Sequence, residues 1–151
     1  LLVGGVLIPN AQAQHAMHSM AADAGELTLT TRPADDAVLV SQPDQLMLDF
    51  GPEVRLVKLA VRTPDSDLLD IGFRYSPRSA DQFSHPLPEL QAADYYTVEW
   101  AVLDAEESLV KGDFHFSVGA DARPPSYYLN QMEQMQHIMA PDYRLLGPDA
   151  Q

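Results

Sequence analysis

Residues 96–118 read YTVEWAVLDAEESLVKGDFHFSV, and the two ends of this stretch decide the fold. Tyr96, Val98, Trp100 and Val102 alternate with smaller or polar residues, and after a polar tip the apolar set returns as Val110, Phe114, Phe116 and Val118, with Asp113, His115 and Ser117 on the other side. Side chains of a strand point to opposite faces in turn, so a period of two with one apolar side marks a strand buried on one face only. Working outward, the same period recurs at Leu27 and Leu29, at Leu46, Leu48 and Phe50, at Val57, Leu59 and Val61, and at Leu69, Ile71, Phe73 and Tyr75. Prolines 33, 43, 52, 64, 77, 86 and 88 stand between these runs, where a residue without an N–H costs no ladder hydrogen bond. Six or seven short strands within residues 26–118, each closed by turn residues, predict an all-β fold, a small antiparallel sandwich. About two thirds of the unfolded surface can be buried at this size, so no covalent staple is required.

Composition narrows the partners. The chain of 151 residues carries 22 Asp and Glu against 9 Lys and Arg, a net charge of -13. It contains no basic run with which to displace counterions from a phosphate backbone or an anionic membrane surface, so nucleic acid is excluded as a partner. Absence of cysteine removes disulfide frameworks, thiolate zinc, iron–sulfur clusters and thiol nucleophiles together. A metal ion must then be held by His, Met, carboxylate or backbone groups.

Both ends depart from the strand pattern. Leu1 to Ile8 form an apolar run too short to span a bilayer, which takes about twenty residues. Pro9 and the small-x-small triplet Ala11, Gln12, Ala13 follow, so residues 1–13 read as the back half of a secretory signal peptide, truncated at its start, with Gln14 the first mature residue. Export without cysteines points to the periplasm, with no membrane span in the mature chain. Residues 14–25 form an N-terminal arm, residues 26–119 the sandwich, and residues 120–151 a proline-rich linker and tail. In that tail Tyr128, Met132, Met135 and Met139 fall at offsets of 4, 7 and 11, one face of a short helix over 126–139 that Pro141 stops.

The motifs of the sandwich resemble those of the periplasmic copper-resistance protein C (CopC) family. Pro33, Ala34, Asp35 and Ala37 match its first-strand motif, and Leu46, Leu48 and Phe50 its L-x-L-x-F. Leu87, Pro88, Leu90, Tyr96, Thr97, Val98 and Trp100 match its L-P-x-L through Y-T-V-x-W segment, and Gly112, Phe114, Phe116 and Val118 its closing G-x-F-x-F-x-V. The resemblance covers about residues 25 to 119 and implies an Ig-like Greek-key β-sandwich or barrel and a copper ion as cargo. It also implies a Cu(II) clamp made by an N-terminal His and an Asp-x-His pair before the last strand. That pair falls here on Glu106 and Ser108, and the N-terminal His near Gly25. Glu106 keeps a carboxylate, whereas Ser108 offers a neutral hydroxyl, a poor copper ligand; the inherited clamp is expected to be degenerate.

A second donor set lies in the tails. Of the 6 Met and 5 His, eight crowd into two windows: His15, Met17, His18 and Met20 in HAMHSM, and Met132, Met135, His137 and Met139 in QMEQMQHIM. Thioethers suit Cu(I) and imidazole suits either oxidation state, so the arm reads as a copper-collecting segment or as a plain linker. Met132, Met135 and Met139 allow two uses, ligating copper or packing a helix onto the sandwich, since Met fills gaps well. His137 points away from their face.

His115 is expected to be solvated or hydrogen-bonded, and His85 lies in a loop before Pro86. The pairs Asp35/Asp36, Asp65/Asp67 and Glu106/Glu107 read as turn residues and solvated charge. No G-x-S-x-G, G-x-G-x-x-G or H-E-x-x-H occurs, so no enzymatic activity is expected. The expected role is a periplasmic copper-binding protein of copper homeostasis, for Cu(I), Cu(II) or both. An inner-membrane copper transporter or another periplasmic copper protein is its expected partner. The alternative is a metal-free Ig-like interaction module that docks on such a partner through its acidic surface or its Met face.

Overall fold

The structure, a computed structural model, describes residues 27–139. The expected signal peptide, the arm with His15, Met17, His18 and Met20, and the tail beyond Met139 lie outside the described residues.

Seven strands and one helix follow in order: β1 (Thr30–Arg32), β2 (Ala37–Leu39), β3 (Gln45–Arg62), β4 (Leu68–Leu69), β5 (Ser79–Pro86), β6 (Tyr96–Leu103), β7 (Leu109–Val118) and α1 (Pro125–Met139). The quoted stretch forms the β6–β7 hairpin, in register from Tyr96 opposite Phe116 to Leu103 opposite Leu109. Every strand pair is antiparallel except β2 with β7, which run parallel with Ala37 opposite Phe116, so the sheet is mixed.

The 18-residue β3 organises the molecule. Its first part, Gln45–Asp49, lies between β1 and β5, and its second part, Arg55–Arg62, pairs with β6 and touches β4 at its end. Between them the register with β5 shifts from Asp49 to Val54. Pro52, read from the sequence as a break between two strands, sits in this bulge of one continuous strand, a position where its missing N–H costs no regular ladder bond. Gly51 turns the corner at φ 81°, its N–H bound to Asp49 Oδ1 at 3.0 Å. A Cβ there would also meet Thr28 Oγ1 at 2.8 Å. Strands that change layer at a bulge close sandwiches at their corners.

The core lies between the layers: Leu46, Leu48 and Phe50 from the first part of β3, Leu56, Leu59 and Val61 from the second, Val98, Trp100 and Val102 from β6, and Phe114 and Phe116 from β7. Leu56, and not Val57, takes the inward place, because a second bulge between Leu56 and Lys58 against β6 leaves Val57 unpaired and moves the phase by one. The expected strand through Ile71, Phe73 and Tyr75 is a loop, entered from the two-residue β4, while the ladder partner of β3 is the polar segment 79–86. Tyr96 Oη donates to the Gln91 carbonyl at 2.6 Å, tying the entry of β6 to the chain five residues upstream as a tyrosine corner does.

Candidate metal centre

The candidate site residues that fall among the described residues lie at two opposite ends of the β6–β7 hairpin. Leu103 is seven residue steps from Tyr96, which at about 3.3 Å per step is about 23 Å.

At one end is the turn between the strands. Asp104 Oδ1 accepts the backbone N–H groups of Glu106 and Ser108 at 2.9 and 2.8 Å, and the Asp104 N–H reaches the Ser108 carbonyl at 3.0 Å. Glu107, at φ 62°, sends its carboxylate to Arg55 Nη2 at 2.6 Å. Glu106 and Ser108 are both exposed there. Among the described residues no group of three or more His, Asp and Glu stands close enough together to hold a metal ion. The donors at Glu106 and Ser108, one carboxylate and one neutral hydroxyl, do not fit the imidazole-rich clamp implied by the resemblance.

At the other end α1 meets the sheet. The parallel register of β2 with β7 brings the β1–β2 turn against β7: the Asp36 N–H donates to the His115 carbonyl at 2.8 Å, and the His115 N–H donates to Asp35 Oδ1 at 2.9 Å. The His115 ring carries Nδ1 at 3.5 Å from the same carboxylate and lies edge-on to Tyr95, centroids 6.2 Å apart. Asp36, at φ 67°, accepts both the N–H and the Oγ–H of Ser126, at 2.7 and 2.8 Å. The first turn of a helix has N–H groups without intrahelical acceptors and a partial positive charge, and α1 carries no acid of its own in that turn. Asp36 supplies both the acceptor and the charge, while Pro125 takes the helix position that needs no N–H. Of the two aspartates read as solvated turn charge, Asp35 therefore ties the β1–β2 turn to β7 and Asp36 anchors α1.

Tyr95 carries the docking further. It is 4% exposed, stacks on Tyr128 with centroids 5.7 Å apart, and donates its Oη–H to Met132 Sδ at 3.7 Å. Burial, and next the charge of Asp94, pushes the Tyr95 phenol up, so it stays a proton donor to the thioether. Beyond Met132 the helix leaves the sandwich: Met132 is 46% exposed, Met135 60% and Met139 77%. The three sulfurs share a face by helical spacing, with His137 on the opposite side. Of the two uses expected for these methionines, packing accounts for Met132 in part and leaves Met135 and Met139 in solvent. Neither Met132 nor its neighbours meets Glu106, which lies at the far end of the hairpin.

Sequence reasoning missed Tyr95 and the anchoring by Asp35, Asp36 and His115. The only local signal was the two adjacent acids before β2; their partners are 80 and 90 positions away. Ser117 was expected on the open face and is instead fully buried, on the strand that α1 contacts.

The fold has known counterparts. The crystal structure of CopC from Methylosinus trichosporium OB3b superposes with a TM-score of 0.50 at 22% identity, over 62% of this chain and 94% of that one. The copper resistance protein PcoC from Escherichia coli gives a TM-score of 0.44 at 18% identity, over 62% of this chain and 98% of that one. No curated protein sequence matches the chain significantly. The family model of the CopC domain matches residues 28–119, from the residue after Leu27 to the end of β7 and Gly119, which is the whole sandwich. The chain thus belongs to the CopC family.

Proposed function

We propose that this protein is a periplasmic copper-binding protein of copper homeostasis that takes Cu(I) through thioethers on α1, with the Met and His residues of the N-terminal arm as further ligands. Membership of the CopC family supports a copper-related role. The observation that carries the finer reading is the exposure of Met135 and Met139 in line with Met132 on a helix anchored to the domain. Apolar side chains left in solvent gain nothing from packing, whereas soft sulfur donors in solvent remain free to bind a soft cation. Glu106 contributes a carboxylate at the far end and is not part of this site. The protein acts as a binding and delivery protein, not as an enzyme, and an inner-membrane copper transporter or another periplasmic copper protein is the proposed recipient.

The test is an anaerobic Cu(I) titration of the chain from Gln14, competed against a chromophoric chelator, beside the variant with Met132, Met135 and Met139 all replaced by Leu. Leu conserves apolarity and roughly the volume, so each change costs under about 1.5 kcal/mol and the melt stays close to that of the parent. Loss of a copper equivalent in the variant is expected. An unchanged stoichiometry defeats the α1 site. A second reading, a metal-free module that docks its partner through α1, is favoured by the same exposed methionines, with Ile138 also exposed at their flank; partner capture that survives a copper chelator but not the triple substitution would select it.

A further inference from the structure

A second opening lies far from α1 in the fold's organisation, between the loop after β4 and the β3–β5 ladder. It is a cleft of about 430 Å³. Its floor is the core itself, reached through Leu48, Leu56 and Leu59, and its walls are Phe73 and Phe83. Arg74 and Arg78, both exposed, complete the lining together with Ser76, Ser84 and His85, and no carboxylate is among the lining residues. This is unusual ground in a chain of net charge -13. The cations of β3 are each engaged, Arg55 by Glu107 and Lys58 and Arg62 by Glu99, whereas Arg74 and Arg78 form no ion pair among the described residues. His85 Nε2 is 2.6 Å from the Ile71 carbonyl and its ring lies edge-on to Phe73, which fixes the imidazole between the loop and β5.

We propose that this cleft binds a small anion with an apolar body, a medium-chain carboxylate or an aryl sulfonate. Four observations point to that class. The floor and walls are apolar and offer burial to a chain or ring. Arg74 and Arg78 both line the cleft with no carboxylate among its lining residues, and a guanidinium is the planar, bidentate donor that suits an anionic head group. The volume falls within the roughly 300–1,000 Å³ of small-ligand pockets. The loop that covers the cleft belongs to no ladder and is pinned to the sheet through Ile71 and His85, so its Phe73–Arg78 portion can shift to admit a ligand without breaking strand pairing.

The test uses the full chain and decanoate below its micelle concentration, followed by calorimetry and by backbone amide shifts. One saturable site is expected, with shifts centred on Phe73, Phe83 and Ser84. Decanol, which has the tail without the charge, and decyltrimethylammonium, which has the opposite charge, should both bind more weakly. Both arginines are exposed, so Arg74→Glu with Arg78→Glu should leave the melt unchanged and weaken decanoate by about tenfold or more, roughly the worth of one charge-assisted hydrogen bond, while decanol is unaffected. Linear, unsaturable uptake overturns the proposal. So do shifts centred elsewhere, equal affinity for the three ligands, or a double variant that binds decanoate like the parent.

Discussion

Gly112 owes its place to the residue across the ladder from it. It faces Trp100, and a Cβ built there would lie 2.6 Å from Trp100 Cζ2, inside any permitted contact. Its backbone angles are not left-handed, so the requirement is one of space alone. Gly112→Ala should push the indole against Phe50, whose ring centroid is 5.2 Å away, and cost about 1–3 kcal/mol, read as a lower denaturation midpoint with an unchanged denaturant slope. Glu99 is a residue-scale effect of charge. Arg62 Nε binds its carboxylate at 2.8 and 3.0 Å with Lys58 Nζ at 3.4 Å, and the Arg62 hydrogen bond first, then Lys58, hold its pKa below the ordinary carboxylate value against the opposing effect of burial. A carboxyl depressed in the folded state stabilises it above the unfolded pKa and loses that contribution as the pH falls through the folded one. Glu99→Gln should therefore be less stable than the parent at pH 7, by at most about 1 kcal/mol for so exposed a network, and the two melting curves should converge as both are acidified below the folded pKa.

At the scale of elements, α1 is held at one end only. Its N-terminus is fastened by Asp36, its second turn by Tyr95 through Tyr128 and Met132, and its last turns project from the domain. Helix stability in proteins comes mostly from tertiary packing, so a helix docked by a turn and a half depends heavily on its cap. Asp36→Ala should cost about 1 kcal/mol at the helix, seen as faster amide exchange across residues 126–132, with little change at β6 and β7. Equal protection of α1 in parent and variant would remove Asp36 as its anchor. Asp36 holds a left-handed φ that Ala strains to adopt, whereas Asp36→Asn, which tolerates that conformation and still caps, should retain most of the protection.

For the whole molecule, the two layers share one core, and α1 adds a patch on its outside. A chain of residues 25–119 should accordingly fold cooperatively, with a near-parental denaturant midpoint, although Tyr95 is then uncovered and a modest loss is expected. That shortened chain should bind Cu(I) more weakly than the chain from Gln14, because it lacks the thioethers of α1 and the arm. Equal Cu(I) affinity of the two would transfer the copper site to the sandwich and leave the tails to partner recognition.

Pattern reading succeeded where the fold obeys a local rule. Alternation depends only on the pleat, so β6, β7 and both parts of β3 were legible in Tyr96–Val102, Phe114–Val118, Leu46–Phe50 and Leu59–Val61, as was the helix from its 3.6-residue spacing. The four motifs in their order were enough to identify the family: three run into the core strands β3, β6 and β7, and the first lies at the turn between β1 and β2. The tertiary structure decided what depends on neighbours distant in the chain. A bulge inserts one residue and reverses every inside–outside assignment after it, which is why Leu56 displaced Val57. β5 is polar on the side that pairs at the surface, and its ladder to β3, not its own pattern, makes it a strand. The parallel pairing of β2 with β7 placed Asp35 on His115 and Asp36 on Ser126, contacts across 80 and 90 residues that no local period encodes. Helical spacing put three sulfurs on one face; only the docking at Tyr95 determined that the first is half covered and the other two meet solvent.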